Sequence, residues 1–280
     1  MKKYLFLLLI GMMGFTACSD DDDPKAPVLN KLTKISCYKN NLSAPEFSVE
    51  INYNTEGKIS NMNFTGDQKL LFIYSNDRFT VTDVNSGNAT AEYVLSGNVI
   101  TSMSVQKENE AANQMYVSEK YVYRYVGSKL SMTSLTMRWP KETESGYDER
   151  VYDDYETYTW DNRNVVLFAQ KLDSREMRYE YSLEKCPENF PLRTIGSYQP
   201  VGFEAVTPLN FMYGMKNRNL PTRAFTYKVP NVSDVLAEYK YTYNRTGDYI
   251  TGMTIEEESE GTTNSYRYVF EYNYADPTTR

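Results

Sequence analysis

Aromatic and polar side chains alternate at every second position through long stretches of the chain. In YKYTYN, Tyr239, Tyr241 and Tyr243 are separated by Lys240 and Thr242. In YRYVFEYNY, Tyr266, Tyr268, Phe270, Tyr272 and Tyr274 fall on one side, with Arg267, Glu271 and Asn273 on the other; YVYRY, Tyr121 to Tyr125, repeats the arrangement. A period of two is that of a strand with one buried and one solvent-facing side. The pattern predicts β-strands whose rings turn toward a shared interior.

Turn signals interrupt these strands at short intervals. NYNTEGKISNMNF (Asn52 to Phe64) matches TYNRTGDYITGMTI (Thr242 to Ile255): an aromatic, Asn, two residues, Gly, then an apolar residue and Met. VYRYVGSKLSMTSLTM (Val122 to Met137) and YVLSGNVITSM (Tyr93 to Met103) are looser copies, while IYSNDRFTV and TYTWDNRNVVLF keep the strand–turn–strand order without glycine. Gly, Asn and Asp accept the positive φ of tight hairpins. With no helical period between the units, sequential antiparallel pairing follows. The predicted fold is mainly β: a large curved up-and-down sheet or open barrel of sequential hairpins, soluble, in one domain over residues 31–280.

Residues 186–222 break the rhythm with Pro187, Pro191, Pro200, Pro208 and Pro221. This proline-rich insertion is incompatible with a continuous central strand. Thr207-Pro208 is placed to cap a short helix running to about Met215, with Gly214 near its end. Such a connection either carries function or lies as a lid over a barrel end.

The aromatic-x-Tyr-Asn-x-x-Gly-x-Ile pattern is similar to the YD-type hairpin repeats of Rhs-like proteins. Together with the leader described next, and with NRNLPTRAFTY (Asn217 to Tyr227), it resembles uncharacterised Bacteroidota lipoprotein domains described as having a porin-like fold. The resemblance spans most of residues 31–275. It implies a fold and a location, and no shared activity.

Lys2 and Lys3 precede an uncharged apolar run from Tyr4 to Ala17, too short to cross a bilayer and typical of an export signal. Thr16 and Ala17 before Cys18 resemble a bacterial lipobox, which implies cleavage after residue 17 and a lipid on the Cys18 sulfur. Ser19 and Asp20 to Asp23 repel one another and bury nothing, so residues 18–30 read as an acidic flexible tether. A cysteine followed by Ser and acidic residues resembles the surface-export tether of outer-membrane lipoproteins. The implied location is the outer membrane, lipid-anchored and facing the cell exterior, with a periplasmic orientation as the alternative.

Charge and composition then remove whole classes of chemistry. The formal charge is −7, which disfavours nucleic acid, and there is no histidine. Imidazole-dependent triads and the usual zinc sites are thereby excluded. No phosphate loop, dinucleotide fingerprint or metal motif occurs, so no cofactor, metal or catalytic residue is assigned. Cys37 and Cys186 are either a disulfide or two buried thiols. A porin in the bilayer would need an apolar exterior, whereas the sides opposite the aromatics carry Arg124, Lys240, Arg267 and Glu271.

The expected role is a non-catalytic surface module binding a glycan, a peptide or a protein, or a scaffold. Trp139 (in RWPKE), Trp160 (in TWDNR) and Tyr158 are the candidate ligand-stacking residues. The alternative is a carboxylate-dependent glycan hydrolase built on YDERVYDDYETYTWDN, where a regular strand places Asp154 and Glu156 on one face and Asp153 on the other. EEESEG (Glu256 to Gly261) reads as a charged hairpin tip.

Overall fold

The computed structural model describes residues 31–85, 89–109, 114–141, 146–172, 174–188, 190–192, 207–214, 216–230 and 234–273. These form sixteen strands. The first eight are β1 (Lys31–Lys39), β2 (Phe47–Tyr53), β3 (Ile59–Phe64), β4 (Lys69–Ser75), β5 (Arg78–Asp83), β6 (Ala89–Ser96), β7 (Val99–Asn109) and β8 (Gln114–Val126). The second eight are β9 (Lys129–Pro140), β10 (Tyr147–Asp161), β11 (Asn164–Gln170), β12 (Arg175–Lys185), β13 (Asn219–Lys228), β14 (Val235–Thr246), β15 (Tyr249–Ser259) and β16 (Thr262–Asn273). Each strand is antiparallel to its neighbours in chain order, as the hairpin repeats predict.

The barrel is closed, not open. β1 pairs with β16 from Lys31↔Asn273 to Lys39↔Tyr266, so the two ends of the domain complete the ring. Closure depends on tilt and twist summed over every hairpin, which no local pattern reveals.

The six turns of the repeated hairpin units, which join β2–β3, β4–β5, β6–β7, β8–β9, β10–β11 and β14–β15, all lie on the same rim of the barrel, and the charged tip between β15 and β16 lies on the other. Gly97, Gly127 and Gly247 open two-residue turns at φ 60°, 62° and 58°. Just beyond the turn, five of these hairpins carry a bulge at one repeated position. Ser60, Thr101, Ser131, Val166 and Thr251 are each the extra residue on the returning strand. Each directly follows a buried Ile, Leu or Val: Ile59, Ile100, Leu130, Val165 or Ile250. A bulge bends its strand and increases local twist, so repeating it around one rim curves the sheet into a ring.

The bulged rim also explains the tyrosines. Tyr53 Oη donates to Leu32 O (2.8 Å), Tyr125 to Ile100 O (2.6 Å) and Tyr181 to Val165 O (2.6 Å). Tyr243 donates to Pro221 O (2.8 Å), Tyr272 to Ile250 O (2.9 Å), and Trp160 uses its indole N–H on Leu130 O (2.6 Å). In every case an aromatic near the end of an even-numbered strand clasps a main-chain carbonyl of the preceding odd-numbered strand. The ring fills the interior while its one polar group satisfies a backbone acceptor that water cannot reach.

A round barrel of sixteen strands is wide enough to hold water. Here Ile35, Val49, Ile100, Leu130, Val165, Met177, Met253 and Tyr268, distributed around the ring, are all at 0% exposure, so the interior is a packed core. The outer wall is polar. Glu50, Arg124, Lys240, Arg267 and Glu271 face solvent, and cross-strand ion pairs such as Arg223–Glu238 (2.6 Å) and Lys34–Glu271 (3.7 Å) run over it.

The described residues between β12 and β13 lie over the bulged rim, hereafter the capped rim. Phe190, 2% exposed, meets Tyr243 and Phe270 edge-on at 6.1 and 5.3 Å. A 3-10 turn, Pro208–Tyr213, begins at Thr207, whose Oγ1 accepts from Leu209 N, and ends at Gly214 with φ 62°. It seats Tyr213 edge-on against Tyr123 at 5.2 Å. The helix signal at Thr207-Pro208 thus yields a short 3-10 element. One expectation for this stretch fails: β13 begins at Asn219, and Pro221 lies within it, between β12 and β14. Pro221 sits beside a register shift opposite Tyr181, where the ladder tolerates a missing N–H.

Candidate functional site

Beside the cap, the capped rim opens into a cleft of about 680 Å³ lined by Arg163, Lys185, Cys186, Pro187, Glu188, Lys216, Asn217 and Arg218. One wall is the Asn162-Arg163 turn between β10 and β11. The other is the chain leaving β12, and the floor is the segment entering β13. Main-chain bonds lock the three together: Arg218 N donates to Arg163 O (3.1 Å), and Cys186 N to Arg218 O (2.9 Å). Buried asparagines complete the frame. Asn217 Oδ1 accepts from Val165 N (2.7 Å), and Asn219 N donates to Asn164 Oδ1 (2.9 Å).

Four cationic residues and one carboxylate thus line one cleft in a chain whose overall charge is −7. Lys216 pairs with Glu188 at 2.9 Å, which holds the Glu188 carboxyl below its usual range. Arg163, Lys185 and Arg218 take part in no ion pair among the described residues. Asn162 and Arg163 both have positive φ, 46° and 69°. A two-residue turn with both central residues left-handed favours Asn-Gly. Arginine in the second place carries a backbone cost of roughly 1 kcal/mol that glycine would avoid.

The Cys186 thiol in this cleft is pushed up to about 11 by burial, which outweighs the opposing pull of Lys216 and Arg245. Burial thus favours its protonated form. Cys37, on β1, is likewise raised to about 11 by burial, against a hydrogen bond with Tyr268. Both are free thiols in the structure, Cys37 buried and Cys186 half-buried.

The other sequence-predicted residues do not converge. Trp139 is 43% exposed near the end of β9, on the opposite rim. Trp160 is half-buried in its clasp with Leu130, with Lys129 Nζ 5.6 Å from its ring centre. Tyr158 is buried inside the barrel, donating to Glu156 Oε2 at 2.6 Å and packed on Phe168. The three form no common platform.

Asp154 and Glu156 also part company, contrary to the regular-strand expectation. Residues 153–155 of β10 bulge against Ser134, since Tyr152 pairs with Leu135 and Glu156 with Thr133. Glu156 is buried, while Asp154 is on the surface, bonded to Lys171 at 2.6 Å; that bond holds its carboxyl below its usual range. The charged tip holds as a hairpin, although Glu257 turns inward to accept from Tyr239 (3.1 Å) and Tyr266 (3.2 Å). Cys18 and the tether lie outside the described residues. Among the described residues no cluster of Cys, Asp or Glu is arranged to hold a metal ion, and no helix is long and apolar enough to cross a membrane.

Sequence reasoning missed the cationic cleft because its members come from three segments between residues 163 and 218. The one local signal was the run Lys216-Asn217-Arg218 inside the proline-rich stretch.

A family described as "Domain of unknown function (DUF5032)" matches residues 19–276. The crystal structure of a porin-like protein from Bacteroides vulgatus ATCC 8482 superposes with a TM-score of 0.56 at 16% identity, covering 88% of this chain and 100% of that one. This likeness shows a porin-like fold. A putative outer membrane protein from Bacteroides fragilis NCTC 9343 covers 88% of this chain and 97% of its own at 8% identity, with a TM-score of 0.13. A TcdB2–TccC3 structure covers 84% of this chain with 13% of its own length at 9% identity and a TM-score of 0.23. No curated protein matches the chain.

Proposed function

The chain belongs to the DUF5032 family, and from that premise we propose that it is a non-catalytic, lipid-anchored surface module that binds a glycan, peptide or protein partner. The observation that carries this reading is the inversion of a porin: a packed apolar interior inside a charged wall. Such a wall is costly in hydrocarbon, and such a core conducts nothing. The barrel stands in water, and a partner meets it from outside.

Anchoring is by lipid on Cys18, after removal of residues 1–17, with residues 18–30 as the tether. β1 starts on the capped rim at Lys31, so the tether joins the barrel at the end that carries the cleft. The recurrence of the hairpin unit around the barrel supports the likeness to YD/Rhs-type hairpin repeats. Cys18→Ser should move the protein from the membrane to the soluble fraction; unchanged membrane association would refute the anchor. Residues 24–280 should bind at least one member of a glycan and surface-protein panel saturably and without turnover. Turnover of a bound glycan would instead make the protein an enzyme.

A further inference from the structure

We infer that the capped-rim cleft is a binding site for an acidic saccharide, one bearing carboxylate or sulfate groups. The inference rests on the binding-module reading and names its ligand class. Four cations from three separate chain segments converge on one concavity, in a protein that is acidic overall. Three of them have no ion-pair partner among the described residues. Like charges gathered in this way repel one another, and an anionic ligand relieves that repulsion. The volume, about 680 Å³, is that of an ordinary ligand site.

The lining specifies more than charge. Among the described residues the lining is four cations, one carboxylate, one amide, Pro187 and Cys186. A hydroxyl-rich anion can use the cations for its acid groups and Glu188 for its hydroxyls. Concavity separates a discrete ligand from a membrane surface, since a headgroup layer is met by a flat or convex basic face rather than by a recess.

Arg163 adds a second, independent observation. The two-residue turns at β6–β7, β8–β9 and β14–β15 place glycine first, at positive φ, whereas this turn holds Asn162 and Arg163 both at positive φ, the geometry in which glycine is favoured at the second place. A guanidinium kept where the backbone favours glycine is a stability-for-function exchange.

The test is calorimetric titration of residues 24–280 with oligogalacturonate and sulfated dextran oligomers, against neutral dextran of equal length, at 50 and 300 mM NaCl. At least one acidic oligomer should bind ten-fold or more tighter than the neutral one, and at least five-fold more weakly at high salt. Arg163→Gly should raise or preserve the melting temperature while weakening binding at least five-fold, an outcome that misfolding cannot produce. Arg218→Gln should weaken binding similarly, and Arg124→Gln on the outer wall should leave it unchanged. Absence of binding by both acidic oligomers, equal binding of acidic and neutral oligomers, or indifference to Arg163→Gly and Arg218→Gln would overturn the inference. Cleft-dependent binding to vesicles containing phosphatidylglycerol in preference to either oligomer would overturn it in favour of a lipid headgroup. Neutral-glycan or protein binding that ignores the cleft would sink this site and leave the module reading standing.

Discussion

The two rims of the barrel are built from the same strands but to different rules. On the capped rim, tight turns, a bulge at a repeated position and aromatic clasps recur from hairpin to hairpin, and the 3-10 turn and Phe190 close the end. On the opposite rim, connections vary in length, and the exposed residues include Glu46, Asp67, Glu108, Asp148, Glu149, Asp234 and Glu260. There β10 outruns its neighbour: its pairing with β11 begins at Glu156, so Tyr147–Tyr152 pairs on the β9 side alone among the described strands. The contrast shows that the sequence repeat specifies one rim. Bulges and clasps recur there from hairpin to hairpin, while register shifts between β5 and β6, β7 and β8, β9 and β10, and β13 and β14 add curvature away from that rim.

The largest expected effect comes from alkali, which tests how dry the core is. Burial raises the phenols of Tyr53, Tyr74 and Tyr266 to about 12, so the folded state holds them protonated where the unfolded chain would ionise them. Their contribution to stability is complete below the ordinary tyrosine range and is lost as pH rises from about 10 to 12. Ionisation of these tyrosines, followed by near-ultraviolet absorbance, should therefore coincide with cooperative loss of circular dichroism. Their ionisation without unfolding would show a wet interior.

Phe190→Ala removes the ring that plugs the capped rim and should cost about 3 to 4 kcal/mol in urea unfolding. Trp139→Ala, exposed on the opposite rim, should stay within about 0.5 kcal/mol. Equal costs would erase the distinction between the rims.

Gly214 distinguishes the cap from the turns beneath it. A Cβ added there would sit 2.7 Å from Ser128 O, in addition to the φ of 62°, whereas at Gly97 nothing lies within 4 Å. Gly214→Ala should cost about 2 to 3 kcal/mol, and Gly97→Ala about 1.

The clasps are the next smaller test. Tyr125→Phe keeps the ring but leaves the Ile100 carbonyl without its donor, for about 1 to 2 kcal/mol. Tyr147→Phe on the opposite rim should be neutral. Smallest of all, Arg138→Ala breaks the exposed Arg138–Glu149 pair (2.5 Å) and should cost about 0 to 1 kcal/mol.

Much of this was legible locally. Tyr239, Tyr241, Tyr266, Tyr268, Phe270 and Tyr272 are buried as their spacing requires, and Arg267 and Glu271 are exposed. The six turns were readable because Gly, Asn and Asp mark positive φ or tight reversal. The bulges were not, although Ile-Ser, Ile-Thr and Leu-Ser recur at the bulge: a strand written in sequence gives no sign that its partner is one residue shorter. That blindness misplaced Asp154 and Glu156, and it hid Pro221's place in a strand.

The chain's own pattern therefore determined the strands, their buried sides, their order and the rim on which they turn, because each depends on residues within a dozen positions of one another. Only the tertiary structure decided that β1 meets β16, that the interior is packed rather than water-filled, and that Arg163, Lys185, Lys216 and Arg218 share one cleft. Those outcomes depend on twist accumulated around the whole ring and on contacts between distant segments, and local periodicity carries no record of either.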